Sequence, residues 1–196
     1  MKPRLLLAVL LLPWLAAAAP KPDIVFLLID DLGFADLGCY GSEIATPNLD
    51  ALAARGLRMT NFHSTPMCSP TRAALLTGLS PHRAGFGTVA HSDSGFPGYA
   101  MELPATAETL AEAMRARGYA TLMVGKWHLG AFDPRYHPSR RGFEETVTFA
   151  GGMIDYWDWR VEWGGTLRRG DGRYLTDIWV DEADAFIGRH REEPFF

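Results

Sequence analysis

Apolar runs separated by polar or glycine-rich turns divide this chain into short predicted elements. An uninterrupted apolar run is typical of a strand that is buried on both faces of a parallel sheet. Such runs predict strands over residues 24–29 and 119–124, residues 57–62 predict another, and residues 193–196 resemble the start of a fourth. Periodicity and end signals predict helices over residues 47–55, 70–77, 106–117 and 175–189. Strands that alternate with helices favour an α/β fold.

The first eighteen residues have the pattern of an export signal. A basic start, Met1–Arg4, precedes the apolar run Leu5–Leu15, which is too short to span a membrane as a helix. Small residues follow, with a cleavage site before Ala19. We therefore expect a signal peptide over residues 1–18 and an exported mature protein, periplasmic or extracellular, with no stable membrane anchor. An uncleaved N-terminal anchor is the alternative.

Charge and cysteine content narrow the possible partners. The formal net charge of -4 gives no sign of a nucleic-acid partner. The chain has two cysteines, and an oxidising compartment would permit a disulfide between Cys39 and Cys68. The alternative is that Cys39 is a small buried loop residue and that Cys68 takes part in chemistry.

The second alternative is favoured by the residues around Cys68. Ser69 is suited to cap the predicted helix and Pro70 to occupy its first turn, while Gly78 is suited to end it. Cys68 would then lie at a helix N-terminus, where backbone N–H groups favour an anion, with Arg72 one turn further on. A thiol in this setting is a candidate reactive centre.

Two further groups of polar residues follow predicted strands. Asp30 and Asp31 end the run at residues 24–29, where open α/β sheets bind their ligands. Paired carboxylates there favour a bound cation, although a solvated turn is the alternative. Lys126 and His128 follow the strand at residues 119–124 and share one side of an extended segment. A lone lysine or a lone histidine is more often a surface or core residue than a functional one.

Two segments of the chain have no regular pattern. Residues 81–104 are rich in Gly, Pro, Ser and His and predict a long loop. Loops of this length are often functional. Residues 133–172 are aromatic- and glycine-rich, with Tyr156, Trp157, Trp159 and Trp163 close together. These aromatic residues form either core packing or a wall that faces the substrate.

The motifs quoted above together resemble those of a known enzyme family. Cys68-Ser69-Pro70-Thr71-Arg72, with the run that ends in Thr77-Gly78, resembles the signature of the type I sulfatases, and Gly125-Lys126-Trp127-His128-Leu129-Gly130 resembles their second signature. The resemblance covers residues 22–196. It implies an alkaline-phosphatase-like three-layer sandwich, with a mostly parallel central sheet flanked by helices. Residues 19–196 would form the N-terminal part of that catalytic domain, truncated at the C-terminus.

The same resemblance implies a chemistry. A maturase would convert Cys68 to formylglycine, the nucleophile that cleaves an organic sulfate ester to alcohol and sulfate. Asp30, Asp31 and residue 68 would hold a divalent cation, Ca²⁺ rather than Mg²⁺. Arg72 would stabilise the nucleophilic oxygen, Lys126 would bind sulfate oxygens, and His128 would assist proton removal.

Two other functions stay open at this stage. One is a phosphodiester or phosphonate hydrolase of the same superfamily. The other is a truncated, non-catalytic exported domain that binds metal or sulfated glycans, since the downstream His, Lys and second acidic pair of the family have no counterpart here. We also expect an unpaired sheet edge and exposed apolar surface where the chain stops.

Overall fold

The computed structural model describes residues 20–130 and 133–196, so the predicted signal peptide lies outside the described residues. One sheet has the strand order β1–β2–β3–β4. Its strands are β1 (Leu122–Lys126), β2 (Glu145–Phe149), β3 (Arg160–Trp163) and β4 (Thr166–Arg169). The α-helices are α1 (Pro47–Arg55), α2 (Cys68–Thr77), α3 (Leu110–Ala116) and α4 (Leu175–Arg189). Short 3-10 turns occupy Phe34–Asp36, Gly38–Tyr40, Pro134–Tyr136 and Pro138–Arg140.

The sheet is mixed. Strands β1 and β2 are parallel, with Leu122 opposite Glu145, whereas β2, β3 and β4 are joined by antiparallel pairings. On the other side of β1, Ala120 forms a parallel bridge with Phe195. The strand predicted at the end of the chain therefore exists as a short extension of the sheet. Antiparallel strands at one edge of a parallel sheet are common in α/β folds.

Helices cover both faces of the sheet, because successive side chains of a strand point to opposite faces. Met123 of β1 packs against a core cluster that contains Ala73 of α2 and Ala111 of α3. Its neighbour Val124 packs against a second cluster, which contains Ile178 of α4. The result is the three-layer arrangement of helix, sheet and helix that was predicted.

Two predicted strands are wrong. Neither residues 24–29 nor residues 57–62 form a strand, and both are exposed, with Val25 72% and Leu57 84% accessible. A strand needs a neighbour for its backbone groups as well as apolar side chains. In the described part of the chain the first run has a single such bond, from Ile24 N–H to Phe195 O (2.9 Å). The apolar side chains of both runs are suited to burial, but the described part of the chain leaves most of them exposed.

The helices follow the prediction more closely than the strands. Helices α1 and α4 have the predicted bounds. Helix α2 begins at Cys68, because Met67 is extended (φ -139°). Ser69 therefore lies inside the first turn and does not cap the helix. Helix α3 begins at Leu110, four residues later than predicted, because Thr109 forms a capping box with Glu112.

The aromatic- and glycine-rich segment holds β2, β3 and β4, none of which was predicted. Its aromatic residues fall into two groups, of which the first forms core packing and the second is exposed. Trp159 is buried, and Trp163 packs against the same core cluster. Tyr156 and Trp157 are 51% and 61% exposed.

Both cysteines are free, so the alternative of a disulfide is wrong. Cys39 is half-buried instead of buried, and its N–H donates to Asp50 Oδ1 (2.7 Å). Among residues 20–130 and 133–196, no helix has the length and apolar character needed to cross a membrane.

Candidate active site

The start of α2 is held firmly in place by the core. Ser69 and Ala73 have no exposed surface, and Arg72 is 8% exposed. The long loop over residues 81–104 contributes Phe86 and Leu103 to the core cluster that surrounds Ala73. Gly78 ends the helix in the left-handed conformation (φ 66°) that glycine adopts readily. Cys68 is therefore presented by a helix with little freedom to move.

The end of β1 supplies the facing side of the site. Trp127 is 1% exposed, packs edge-on against Phe143, and donates from its indole N–H to Tyr136 O (2.8 Å). Its backbone N–H, and that of His128, continue the bonds to the segment of β2. Because Trp127 is anchored in the core, Lys126 and His128 on either side of it are directed to the start of α2.

Four contacts bring the predicted site residues together. Cys68 Sγ lies 3.2 Å from His128 Nδ1. Arg72 Nη1 donates to Lys126 O (2.5 Å), which ties α2 to β1. Asp30 Oδ2 accepts from Lys126 Nζ (2.7 Å) and lies 3.8 Å from Arg72 Nη2. The site therefore combines a thiol, an imidazole, two cations and one carboxylate from separate parts of the chain.

The electrostatic setting keeps His128 neutral. Burial, and then the nearby Lys126 and Arg72 cations, lower the pKa of His128 to about 4. Burial also lowers the pKa of Arg72, while Asp30 acts in the opposite direction. A neutral imidazole beside residue 68 is able to accept a proton from it.

Arg72 has a donor with no partner. Its Nε is buried and has no hydrogen-bond partner among the described residues. The side chains of Arg72 and Lys126 are only 10% and 9% exposed, although each carries a positive charge. A buried donor without a partner costs about 1–3 kcal/mol. An anion that accepts from Nε would remove this cost, so the cationic part of the site suits a bound oxyanion.

The two aspartates differ in their contacts. Asp30 makes the ion pairs above, whereas Asp31 has no hydrogen bond or ion pair within the described parts of the chain. Asp31 (φ 57°) and His128 (φ 58°) both adopt the left-handed backbone conformation, which is uncommon outside glycine. Backbone strain of this kind concentrates at functional sites.

Asp30 and Asp31 offer the oxygen ligands that a hard cation prefers, but too few of them to hold the ion alone. Ca²⁺ takes six to eight oxygen ligands, and two carboxylates supply fewer. Across residues 20–130 and 133–196, no three or more His, Cys, Asp or Glu side chains are grouped so as to hold a metal. The unmodified thiol of Cys68 is a soft ligand and does not suit Ca²⁺. Asp30 and Asp31 could therefore form part of a cation site that other ligands complete.

Sequence reasoning missed two residues that touch His128. The His91 ring stacks on the His128 ring, with centroids 6.1 Å apart, and Ala90 N–H donates to Ser69 Oγ (3.1 Å) beside it. A Cβ on Gly152 would lie 2.9 Å from two atoms of the His128 ring. His91 carried no signal, because its loop has no periodicity. Gly152 follows β2, so predicting β2 from the sequence would have indicated that this glycine lies just beyond the end of a strand.

Comparison with known proteins gives consistent matches. The family model described as Sulfatase matches residues 22–196. The arylsulfatase of Klebsiella aerogenes is 41% identical over 145 residues, which cover 73% of this chain and 31% of that protein. The human N-acetylgalactosamine-6-sulfatase is 40% identical over 206 residues, which cover 92% of this chain and 39% of that protein. This chain thus spans 31% and 39% of the lengths of these two relatives.

Solved structures agree with the sequence matches. One similar structure was determined in complex with its substrate, D-glucosamine-2-N,6-O-disulfate. It superposes with a TM-score of 0.73 at 32% sequence identity, over 89% of this chain and 33% of that one. The three-layer fold described above is therefore a fold that solved proteins with related sequences also adopt.

Proposed function

The chain belongs to the sulfatase family, with the alkaline-phosphatase-like fold of that family, and we propose that it hydrolyses sulfate esters with residue 68 as the nucleophile. The observation that carries the proposal is the contact between Cys68 Sγ and His128 Nδ1 (3.2 Å), next to the buried Arg72 and Lys126 side chains. The arrangement supports the proposal because residue 68 would then be a nucleophile beside a neutral base, with two cations near the negative charge that develops.

Residue 68 is proposed to act as formylglycine. A thiolate would attack sulfur readily, but the sulfur–sulfur product would have no easy route to hydrolysis. When present, the aldehyde supplies an oxygen nucleophile and a route for releasing sulfate. His128 Nδ1 is within hydrogen-bond distance of residue 68 and would hold or remove its proton. A maturase that makes this modification is therefore a required partner.

The two cations have different tasks. Arg72 Nε, buried and without a partner among the described residues, would donate to the oxygen on residue 68 or on the sulfate. Lys126 Nζ is a point charge that would bind sulfate oxygens more strongly as negative charge builds up. Asp30 positions Lys126 Nζ at 2.7 Å and balances part of the positive charge before substrate binds.

Asp30 and Asp31, with residue 68, are proposed to hold a divalent cation, Ca²⁺ rather than Mg²⁺. The ion would supply positive charge next to a sulfate oxygen. Binding of Ca²⁺ can be measured by calorimetry without any turnover. We expect Asp31→Asn to weaken it and Asp23→Asn, another exposed carboxylate, to leave it unchanged. Equal Ca²⁺ affinity in both variants would contradict the assignment.

The remaining parts of the proposal concern location. Residues 1–18 are proposed to direct export, and residues 19–196 to form the N-terminal part of the catalytic domain. Export is tested by the N-terminal sequence of the protein recovered outside the cytoplasm. An intact Met1 in the exported protein would contradict cleavage before Ala19.

The central experiment is turnover of an aryl sulfate and of the matching aryl phosphate by protein made in a host with the maturase. We expect a preference for sulfate, and we expect Cys68→Ala to lower that turnover on the order of 10⁴-fold or more. Cys39→Ala, which removes the other thiol, should leave it unchanged. The tryptic peptide that contains residue 68 should be about 18 Da lighter than the unmodified peptide. A preference for phosphate, or an intact thiol in active protein, would contradict the proposal.

A further inference from the structure

The hairpin of β3 and β4 holds two arginines in an unfavourable position. Arg160 lies directly opposite Arg169 in the antiparallel register, and both are exposed. Like charges in this position destabilise a strand pair. Among residues 20–130 and 133–196, neither arginine forms an ion pair with a carboxylate. The stability of the fold therefore gives no reason for the arginine pair, whereas an anionic ligand would.

Exposed aromatic rings lie next to this hairpin on a fixed backbone. Tyr156 and Trp157 each pack against Tyr174, with ring centroids 5.2 Å apart in both pairs. Asp155 Oδ1 accepts from the N–H of Trp157 (2.7 Å), and Leu175 N–H donates to Tyr156 O (2.9 Å). The rings are thus held in place by Tyr174 and by backbone bonds, while more than half of each residue is exposed to solvent.

Backbone contacts connect these rings to the arginines and to the active site. A Cβ on Gly170, the residue after Arg169, would lie 2.5 Å from Trp157 O, so the two backbones touch. Gly152 lies against the His128 ring. Tyr156 is four residues further along the chain, a span of about 14 Å at most. We call Tyr156, Trp157, Arg160 and Arg169 the aromatic–arginine strip.

We propose that the aromatic–arginine strip is a second binding site, for a neighbouring part of an anionic sugar chain whose sulfate ester occupies the active site. Aromatic faces suit the C–H faces of pyranose rings. Arginine binds sulfate and carboxylate groups with two parallel hydrogen bonds. The overall charge of -4 opposes general attraction of polyanions, so binding depends on these local groups. This proposal rests on the proposed function and adds a substrate class to it.

The test measures binding and not turnover. The Cys68→Ala protein is titrated, by calorimetry, with a chondroitin 6-sulfate hexasaccharide and with the unsulfated hexasaccharide. We expect the sulfated chain to bind more tightly, and Arg160→Ala/Arg169→Ala to weaken its binding about tenfold. The matched control is Arg83→Ala/Arg191→Ala, which removes two exposed arginines elsewhere and should change nothing. Trp157→Ala should weaken both sugars, and Trp157→Phe should restore most of the loss.

Stability separates a binding role from a structural one. Removing two opposed like charges should leave the melting temperature unchanged or raise it. A lower melting temperature of the double variant, or equal affinity in the double variant and its control, would overturn the proposal. Tighter binding of a short DNA duplex of equal charge would also overturn it, in favour of unspecific polyanion binding. Aryl sulfate turnover by the protein with Cys68, Arg160 and Arg169 all intact tests the proposed function separately, because that assay does not involve a sugar chain.

Discussion

The two halves of the candidate site are held in different ways. Cys68, Arg72, Lys126 and His128, the buried half, come from α2 and the end of β1, which pack into one core cluster around Ala73 and Trp127. Asp30 and Asp31, the exposed half, follow an apolar run whose side chains are largely accessible. Within the part of the chain that the structure describes, Asp30 is joined to the buried half through Lys126 and Arg72.

This difference separates two kinds of preorganisation. The buried half owes its geometry to packing, so its thiol, imidazole and two cations are in place before a ligand arrives. In the exposed half, Asp30 owes its position to ion pairs, which are worth less and respond to salt. We therefore expect substitutions in the core to act on the buried half strongly, and substitutions along the exposed run to act weakly.

The largest effect is expected from Trp127→Ala. The Trp127 side chain, which lies between Lys126 and His128 in sequence, is buried in the core. Its loss should lower the free energy of unfolding by about 3–5 kcal/mol. Leu27→Ser, at a position 68% exposed in the apolar run, should change it by less than about 0.5 kcal/mol. Urea denaturation of the two variants measures both values. Similar losses would show that the exposed run contributes to the core after all.

Gly152→Ala should affect activity more than stability. The added Cβ would lie 2.9 Å from the His128 ring and displace it from residue 68. A misplacement of about 1 Å can lower the rate about 10²-fold. Gly151→Ala is the matched control, because its Cβ would meet only Met153 O at an ordinary 3.9 Å. The prediction fails when the two variants turn over an aryl sulfate equally fast.

Helices were easier to predict than strands, and the reason is physical. The signals for α1 and α4 are local, since periodicity and end residues lie within each helix. A strand depends on partners that are distant in sequence. The apolar run at residues 24–29 has the composition of a buried strand but, among the described residues, no neighbouring strand to pair with. Strand β2 lies in a segment that gave no clear pattern, yet it pairs with β1 and β3.

The candidate site was predictable as a set of residue types, but only in part as a geometry. Cysteine, arginine, lysine and histidine at the observed spacings indicated Cys68, Arg72, Lys126 and His128, and the structure brings these residues together. No local pattern could indicate that the Ser69 hydroxyl holds the loop at Ala90 instead of capping α2. The stacking of His91 on His128 depends on that loop, so it was equally out of reach.

An intermediate effect is expected from Asp30→Asn in the absence of divalent cations. The substitution leaves Lys126 and Arg72 close together without the carboxylate that pairs with both. Because Asp30 is partly exposed, we expect a loss of about 1–2 kcal/mol in unfolding free energy, less than for a fully buried pair. Asp31→Asn is the control and should cost less than about 0.5 kcal/mol. Denaturation in a chelating buffer measures both, and an equal cost would remove the distinction between the two aspartates.

The smallest effect is expected from Glu193→Gln, which tests the contribution of surface charge at a position away from the candidate site. His190 follows α4, with Nδ1 2.6 Å from Glu193 Oε1 and Nε2 3.4 Å from Glu145 Oε1. These hydrogen bonds raise the pKa of His190 above 6.5, so its protonated form is favoured in the folded protein. The resulting stability is full below the unfolded pKa and is lost as the pH rises through the folded one. Glu193→Gln should therefore cost stability at pH 5.5, by less than about 1 kcal/mol, and almost nothing at pH 9. NMR titration of His190 should give a lower pKa in that variant, and an unchanged value would contradict the prediction.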